Sequence, residues 1–117
     1  MAYDQVMTNA AMLKPGITYK EISERAWPIP PSCYKNRYCF VMHGVGMCDE
    51  FPGVAHWGED WDSSGNDGVL QENMTISVES YIGEDGGHEG IKLEQQYLIT
   101  KNGAVSMCQF PWESDWL

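Results

Sequence analysis

Met74-Thr75-Ile76-Ser77-Val78-Glu79-Ser80-Tyr81-Ile82 is the stretch on which the fold turns. Met74, Ile76 and Val78 alternate with Thr75, Ser77, Glu79 and Tyr81, the period-2 pattern of a strand with two chemically different faces. Downstream, residues 83–90 predict a turn, and 91–100 and 104–109 predict two more strands. Asn102-Gly103 joins these two, and that dipeptide is strongly favoured in tight hairpins. Upstream, the aromatic and β-branched run Tyr38–Met42 predicts a strand that feeds into His43-Gly44-Val45-Gly46. Between them, 51–68 is rich in Gly, Asp and Trp and predicts a long loop.

The opening of the chain is helical. Val6, Ala10 and Leu13 keep the 3.6 period across residues 3–14, and Pro15-Gly16 ends the run. Thr18 with Glu21 predicts a capping box that starts a second helix reaching about Trp27. Pro28, Pro30 and Pro31 then predict a stiff connector. Helices followed by antiparallel strands make an α+β unit.

The chain has 117 residues, the size of one ordinary domain. Seventeen Asp and Glu against seven Lys and Arg give a net charge of −10. That charge repels nucleic acid and anionic membrane surfaces, and it suits a small cationic or zwitterionic partner. No apolar run is long enough for a membrane-spanning helix, and no basic, apolar leader is visible. Cys33, Cys39, Cys48 and Cys108 lack C-x-x-C spacing and are expected to be reduced, partly buried small hydrophobes in a cytoplasmic protein.

Three features offer chemistry, each beside a plainer reading. His43, with Asp49 six residues on, leaves a strand through a Gly-x-Gly turn; it reads as a metal ligand or as a hydrogen-bonded structural histidine. Glu79 and Glu94 each fall within a strand; they read as a pair converging with a His on a divalent cation or as a solvated sheet face. Asp60-Trp-Asp62-Ser-Ser64-Gly65 begins like a calcium loop, but its twelfth position is Gln71 and no amphipathic helix precedes it. A solvated acidic loop is the better reading there.

The motifs also resemble a known family. His43-Gly-Val-Gly-Met-Cys-Asp49-Glu-Phe-Pro52 is similar to the His-Gly-(Ile/Val)-Gly…Pro segment of the creatinase, aminopeptidase P and methionine aminopeptidase superfamily, which has the pita-bread fold. Asn73–Glu79 resembles that superfamily's strand ending in Glu. Gly90-Ile-Lys-Leu-Glu94 through Gly103 resembles its final hairpin, and Leu13-Lys-Pro-Gly16 fits the helix end before the His strand. Within the superfamily, Lys35–Tyr38, His43–Glu50, Val78–Gly83 and Lys92–Gln96 most resemble the dimethylsulfoniopropionate lyase branch.

The resemblance implies a metal centre held by His43, Glu79 and Glu94, with Asp49 as catalytic base and Tyr38 on the substrate. It implies two divalent ions in a complete domain, with iron suggested and zinc or manganese possible, and a homodimer. The implied reaction is β-elimination of dimethylsulfoniopropionate to dimethyl sulfide and acrylate. Superfamily peptidases usually place a second His near the position that Asp49 holds, and usually have Glu-Pro where this chain has Glu79-Ser80. The other readings are an Xaa-Pro aminopeptidase or prolidase-like metallopeptidase and a non-catalytic pita-bread binding module. Strict alternation puts Tyr38 on the opposite face from His43, so its substrate role requires a bulge. The superfamily's other two Asp ligands come from upstream strands, and Asp4 is the one Asp before His43. The chain is therefore expected to be the C-terminal half of a catalytic domain and inactive by itself.

Overall fold

The computed structural model describes residues 1–113 and 115. Helix α1 (Ala2–Ala10) and helix α2 (Tyr19–Arg25) precede strands β1 (Phe40–Gly44) and β2 (Gly53–Ala55). Helix α3 (Glu59–Ser64) follows, then β3 (Thr75–Ile82), β4 (Ile91–Thr100) and β5 (Gly103–Ser106). The strands form one sheet in the order β2-β1-β3-β4-β5, antiparallel at every step. The α+β reading holds.

Helix α1 ends earlier than the periodicity suggests. Met12 N–H donates to Asn9 O and Leu13 N–H to Ala10 O, three-residue closures that tighten the last turn out of α geometry. The capping box is present: Glu21 N–H donates to Thr18 Oγ1 at 3.1 Å, and Thr18 N–H donates to Glu21 Oε2 at 2.9 Å. The proline connector is more ordered than expected, because Pro31 opens a 3-10 turn through Asn36. The segment 51–68 is not simply a loop. It holds β2, and its acidic run Glu59-Asp60-Trp61-Asp62 starts α3, where negative charge suits a helix N-terminus. Cys33 is buried as expected, whereas Cys39, Cys48 and Cys108 are exposed thiols.

Asp60 is committed to structure rather than to an ion. Arg37 Nε and Nη2 donate to its two oxygens at 2.7 and 2.6 Å, and the guanidinium stacks 3.8 Å from the Tyr34 ring. This fork ties the approach to β1 onto α3. Arg37→Ala should cost roughly 1.5–3 kcal/mol of folding free energy, as hydrogen bonds to charged partners do. Chemical denaturation checks it, and an unchanged midpoint would show that the fork contributes nothing.

The core lies between the helices and one face of the sheet. Val6, Ile22, Val41, Met42, Val78 and Ile99 are fully buried there, and Ser80 Oγ donates to Gln5 Oε1 of α1 at 2.6 Å. Ser80 and Val78 thus face the helices, so Ser77, Glu79 and Tyr81 face away from them. Along β3 that second face is not wet, whereas Lys92 and Glu94 of β4 keep their side chains partly exposed. Ser77 and Glu79 are 1% and 2% exposed, so β3 is buried on both sides. At the other edge, Ile91, Val105, Met107 and Phe110 expose large apolar side chains. Self-association through this edge is the expected outcome, despite the net charge. Light scattering that reports a monodisperse monomer would contradict it.

Candidate metal centre

Register brings the carboxylates together. In the β3–β4 ladder Glu79 stands directly opposite Glu94, and in the β1–β3 ladder His43 stands opposite Ser77, two residues from Glu79 on the same face. The side chains meet accordingly. His43 Nε2 lies 2.8 Å from Glu79 Oε1 and 3.8 Å from Glu94 Oε1, and the imidazole is buried. Like charges directly opposite in a ladder repel. Lys92, two residues before Glu94 on the same face, offsets this with Nζ 2.9 Å from Glu79 Oε2 and 3.7 Å from Glu94 Oε2. Ser77 Oγ donates to Glu94 Oε1.

The loop after β1 closes over this face. Gly44 lies against the returning chain so tightly that a Cβ there would meet Phe51 O at 2.2 Å, and Gly44 N–H donates to Pro52 O at 2.8 Å. Asp49 sits in the turn with φ 56°, a left-handed conformation that Asp tolerates, and its side chain is exposed. Its neighbour Glu50 turns inward. Tyr38 Oη donates to both Glu50 oxygens, at 2.7 and 2.8 Å, and the Tyr38 ring lies 4.5 Å beneath Lys92 Nζ. β1 carries an irregular register against β2 between Phe40 and Met42, the bulge that lets Tyr38 join the face of His43.

The structure therefore brings His43, Glu79, Glu94 and Tyr38 to one place, and leaves Asp49 on the exposed turn at its margin. Sequence reasoning passed over Glu50, Lys92 and Ser77. Ser77 and Lys92 carry a signal, since each lies two residues from a site Glu and so shares its face. Glu50 carries none, because its direction depends on the turn.

His43 Nδ1 lies 2.8 Å from the Gly44 carbonyl, which can only accept, so Nδ1 carries hydrogen. In the neutral ring, Nε2 would then point a lone pair at the Glu79 carboxylate. A proton relieves this conflict. Burial works against the charged ring, but the Gly44 carbonyl and the Glu79 carboxylate outweigh it and raise the His43 pKa. The Glu79 carboxylate likewise raises Lys92. Burial first, then the bond to Glu50, pushes the Tyr38 hydroxyl far above its ordinary value. A cation in the same slot would relieve the conflict as well as a proton does. Among the described residues, the buried Glu79 Oε2 accepts no well-aligned hydrogen bond, although the Lys92 ammonium lies 2.9 Å from it. One imidazole with carboxylates suits zinc, manganese or iron(II). The residues fit a divalent ion.

A pH dependence follows for the metal-free chain. A raised His43 pKa contributes stability below the unfolded value of 6.5, and the contribution is lost as pH climbs through the higher folded value. His56, buried and lowered by desolvation, has the opposite sign and acts only as pH falls below 6.5. Above about pH 6.5 the melting temperature in chelator should therefore fall with pH. A rise across that range would contradict the assignment.

The chain matches the model of metallopeptidase family M24 over residues 2–101. The chain belongs to family M24. Among its M24 relatives, a dimethylsulfoniopropionate lyase of Roseovarius nubinhibens is 40% identical over 112 residues, covering 96% of this chain and 25% of the relative. An Xaa-Pro dipeptidase of Pyrococcus horikoshii is 36% identical over 96 residues, covering 78% of this chain and 24% of the relative. The prolidase structure from Pyrococcus horikoshii superposes with a TM-score of 0.71 at 27% identity, over 96% of this chain and 30% of that one. The chain thus spans about a quarter of the length of these curated M24 relatives. Among the described residues, no helix is long and apolar enough to cross a membrane.

Proposed function

We propose that this chain supplies the His–Glu–Glu half of a metal-dependent lyase centre that cleaves dimethylsulfoniopropionate to dimethyl sulfide and acrylate. The observation that carries this reading is the uneven likeness to two M24 activities. Identity to the lyase is 40% across nearly the whole chain, whereas identity to the Xaa-Pro dipeptidase is 36% over a shorter span. Asp49 is the chemical counterpart of that difference. It places a proton acceptor where M24 peptidases usually have a second His.

In this reading His43, Glu79 and Glu94 hold the divalent ions of the complete domain, with iron favoured over zinc and manganese. A bound ion supplies Lewis-acid stabilisation of the negative charge that develops beside the substrate carboxylate. Tyr38 positions the sulfonium. Its ring already carries a cation on one face, the Lys92 ammonium at 4.5 Å, and such contacts are worth up to about 2 kcal/mol when desolvated. Asp49 removes the α-proton. The C–H electrons form the α–β double bond, the β-carbon–sulfur bond breaks, and its electron pair leaves on neutral dimethyl sulfide. Asp49 then carries the proton, to be returned to water.

The test uses a protein carrying this segment joined to the upstream half of an M24 catalytic domain. Headspace dimethyl sulfide is measured from dimethylsulfoniopropionate beside hydrolysis of an Xaa-Pro dipeptide. Dimethyl sulfide without peptide cleavage is expected. Peptide cleavage alone would favour the metallopeptidase, and silence in both with metal bound would favour a binding module.

A further inference from the structure

A third carboxylate reaches the centre from an unexpected direction. Nothing in the strand pattern marks Glu50, yet one ligand atom from each of His43, Glu50 and Glu79 lies within 4.8 Å of the others. Ligands on opposite sides of one ion at about 2.0–2.2 Å stand roughly 4.2 Å apart, so these three need only small adjustments to share an ion. Two further observations indicate that the triangle is built for a ligand. His43 is 6% exposed and, when neutral, aims its Nε2 lone pair into it. Glu79 is 2% exposed and, among the described residues, its buried Oε2 accepts no well-aligned hydrogen bond, although the Lys92 ammonium is 2.9 Å away.

Glu50 is also held in place. The Tyr38 hydroxyl donates to its carboxylate at 2.7 and 2.8 Å, which fixes the group's orientation and leaves lone pairs on both oxygens. Glu94 is tied differently, with its Oε1 accepting from Ser77 and lying 3.8 Å from His43 Nε2. We propose that Glu50, oriented by Tyr38, is a direct donor to a divalent cation shared with His43 and Glu79. Resting on the metal-centre reading above, this adds a ligand to that centre and gives Tyr38 a second task, the outer-sphere positioning of a metal ligand.

The 117-residue chain itself is the material for the test, with Mn²⁺ as probe and the loss of its free-ion paramagnetic signal as readout. Glu50→Gln keeps shape and removes charge, and it should weaken Mn²⁺ binding by tenfold or more. Tyr38→Phe should also weaken it, in the range of about 10–100-fold typical when a ligand's orienting partner is lost. Asp49→Asn, an equal charge change one residue away on the exposed turn, should leave affinity within about twofold of wild type, since a solvated charge is screened. Circular dichroism confirms folding of each variant. Unchanged affinity in Glu50→Gln overturns the inference, as does an equal loss in Asp49→Asn, which would make the effect general charge rather than ligation. If binding is lost in His43→Ala but kept in Glu50→Gln, the metal centre stands and Glu50 is excluded from it. If wild type binds no Mn²⁺, or His43→Ala binds as well as wild type, the metal-centre reading and this inference fail together.

Discussion

His43→Ala should abolish measurable binding of divalent metal to this chain. The side chain is buried, its Nδ1 is anchored on Gly44 O, and its Nε2 faces Glu79 Oε1 at 2.8 Å, so it brings a pre-aimed nitrogen donor to a carboxylate. Losing an outer partner of a ligand costs about 10–100-fold in affinity, and losing the donor itself should exceed that. The same substitution strips Glu79 of its imidazole partner. A buried carboxylate left short of a partner costs about 3–5 kcal/mol, and here Lys92 at 2.9 Å offsets part of it. The metal-free variant should therefore melt lower than wild type as well as bind less metal. Glu79→Gln is the companion variant. It removes charge and keeps volume, and it too should lose metal. Calorimetric titration checks both, and full affinity in either variant would remove that residue from the centre.

The second large effect falls on Asp49. In a protein that carries this segment joined to the upstream half of an M24 domain, Asp49→Asn should cut dimethyl sulfide release by about 10²–10⁴-fold, the usual contribution of a positioned general base. Metal content should stay near wild type, because Asp49 lies outside the His43–Glu50–Glu79 triangle. The substitution is clean in backbone terms. Residue 49 has φ 56°, and Asn accepts the left-handed region as readily as Asp. His43→Ala loses metal and turnover together, whereas Asp49→Asn should lose turnover alone. Loss of metal in Asp49→Asn would make Asp49 a ligand and leave the elimination without its base.

Much of this architecture was legible in the residues. Alternation across 74–82 and the Asn102-Gly103 turn predicted the β3, β4 and β5 meander, because side-chain period and turn chemistry are local properties. The pairing of Glu79 with Glu94 was legible only through resemblance. Their separation in sequence does not fix the register that puts them opposite one another. Strand β2 was invisible because three residues, Gly53-Val54-Ala55, are too few to show a period. Helix α3 was read as an acidic loop, since charge at its start mimics a cation site until Arg37 is seen to hold Asp60. Glu50 was hidden for a related reason. Whether a turn residue points outward, like Asp49, or inward depends on backbone dihedrals that composition does not encode.

The assignment of the sheet's second face as a metal centre is tested most directly by diffraction from crystals of this chain grown with Zn²⁺, using the anomalous signal of zinc. The expected result is a peak bonded to His43 Nε2 and a Glu79 carboxylate oxygen at about 2.0–2.2 Å, with the Lys92 ammonium displaced from Glu79. A map in which Lys92 keeps its place between Glu79 and Glu94, with zinc only on the exposed thiols of Cys39, Cys48 or Cys108, would contradict the account.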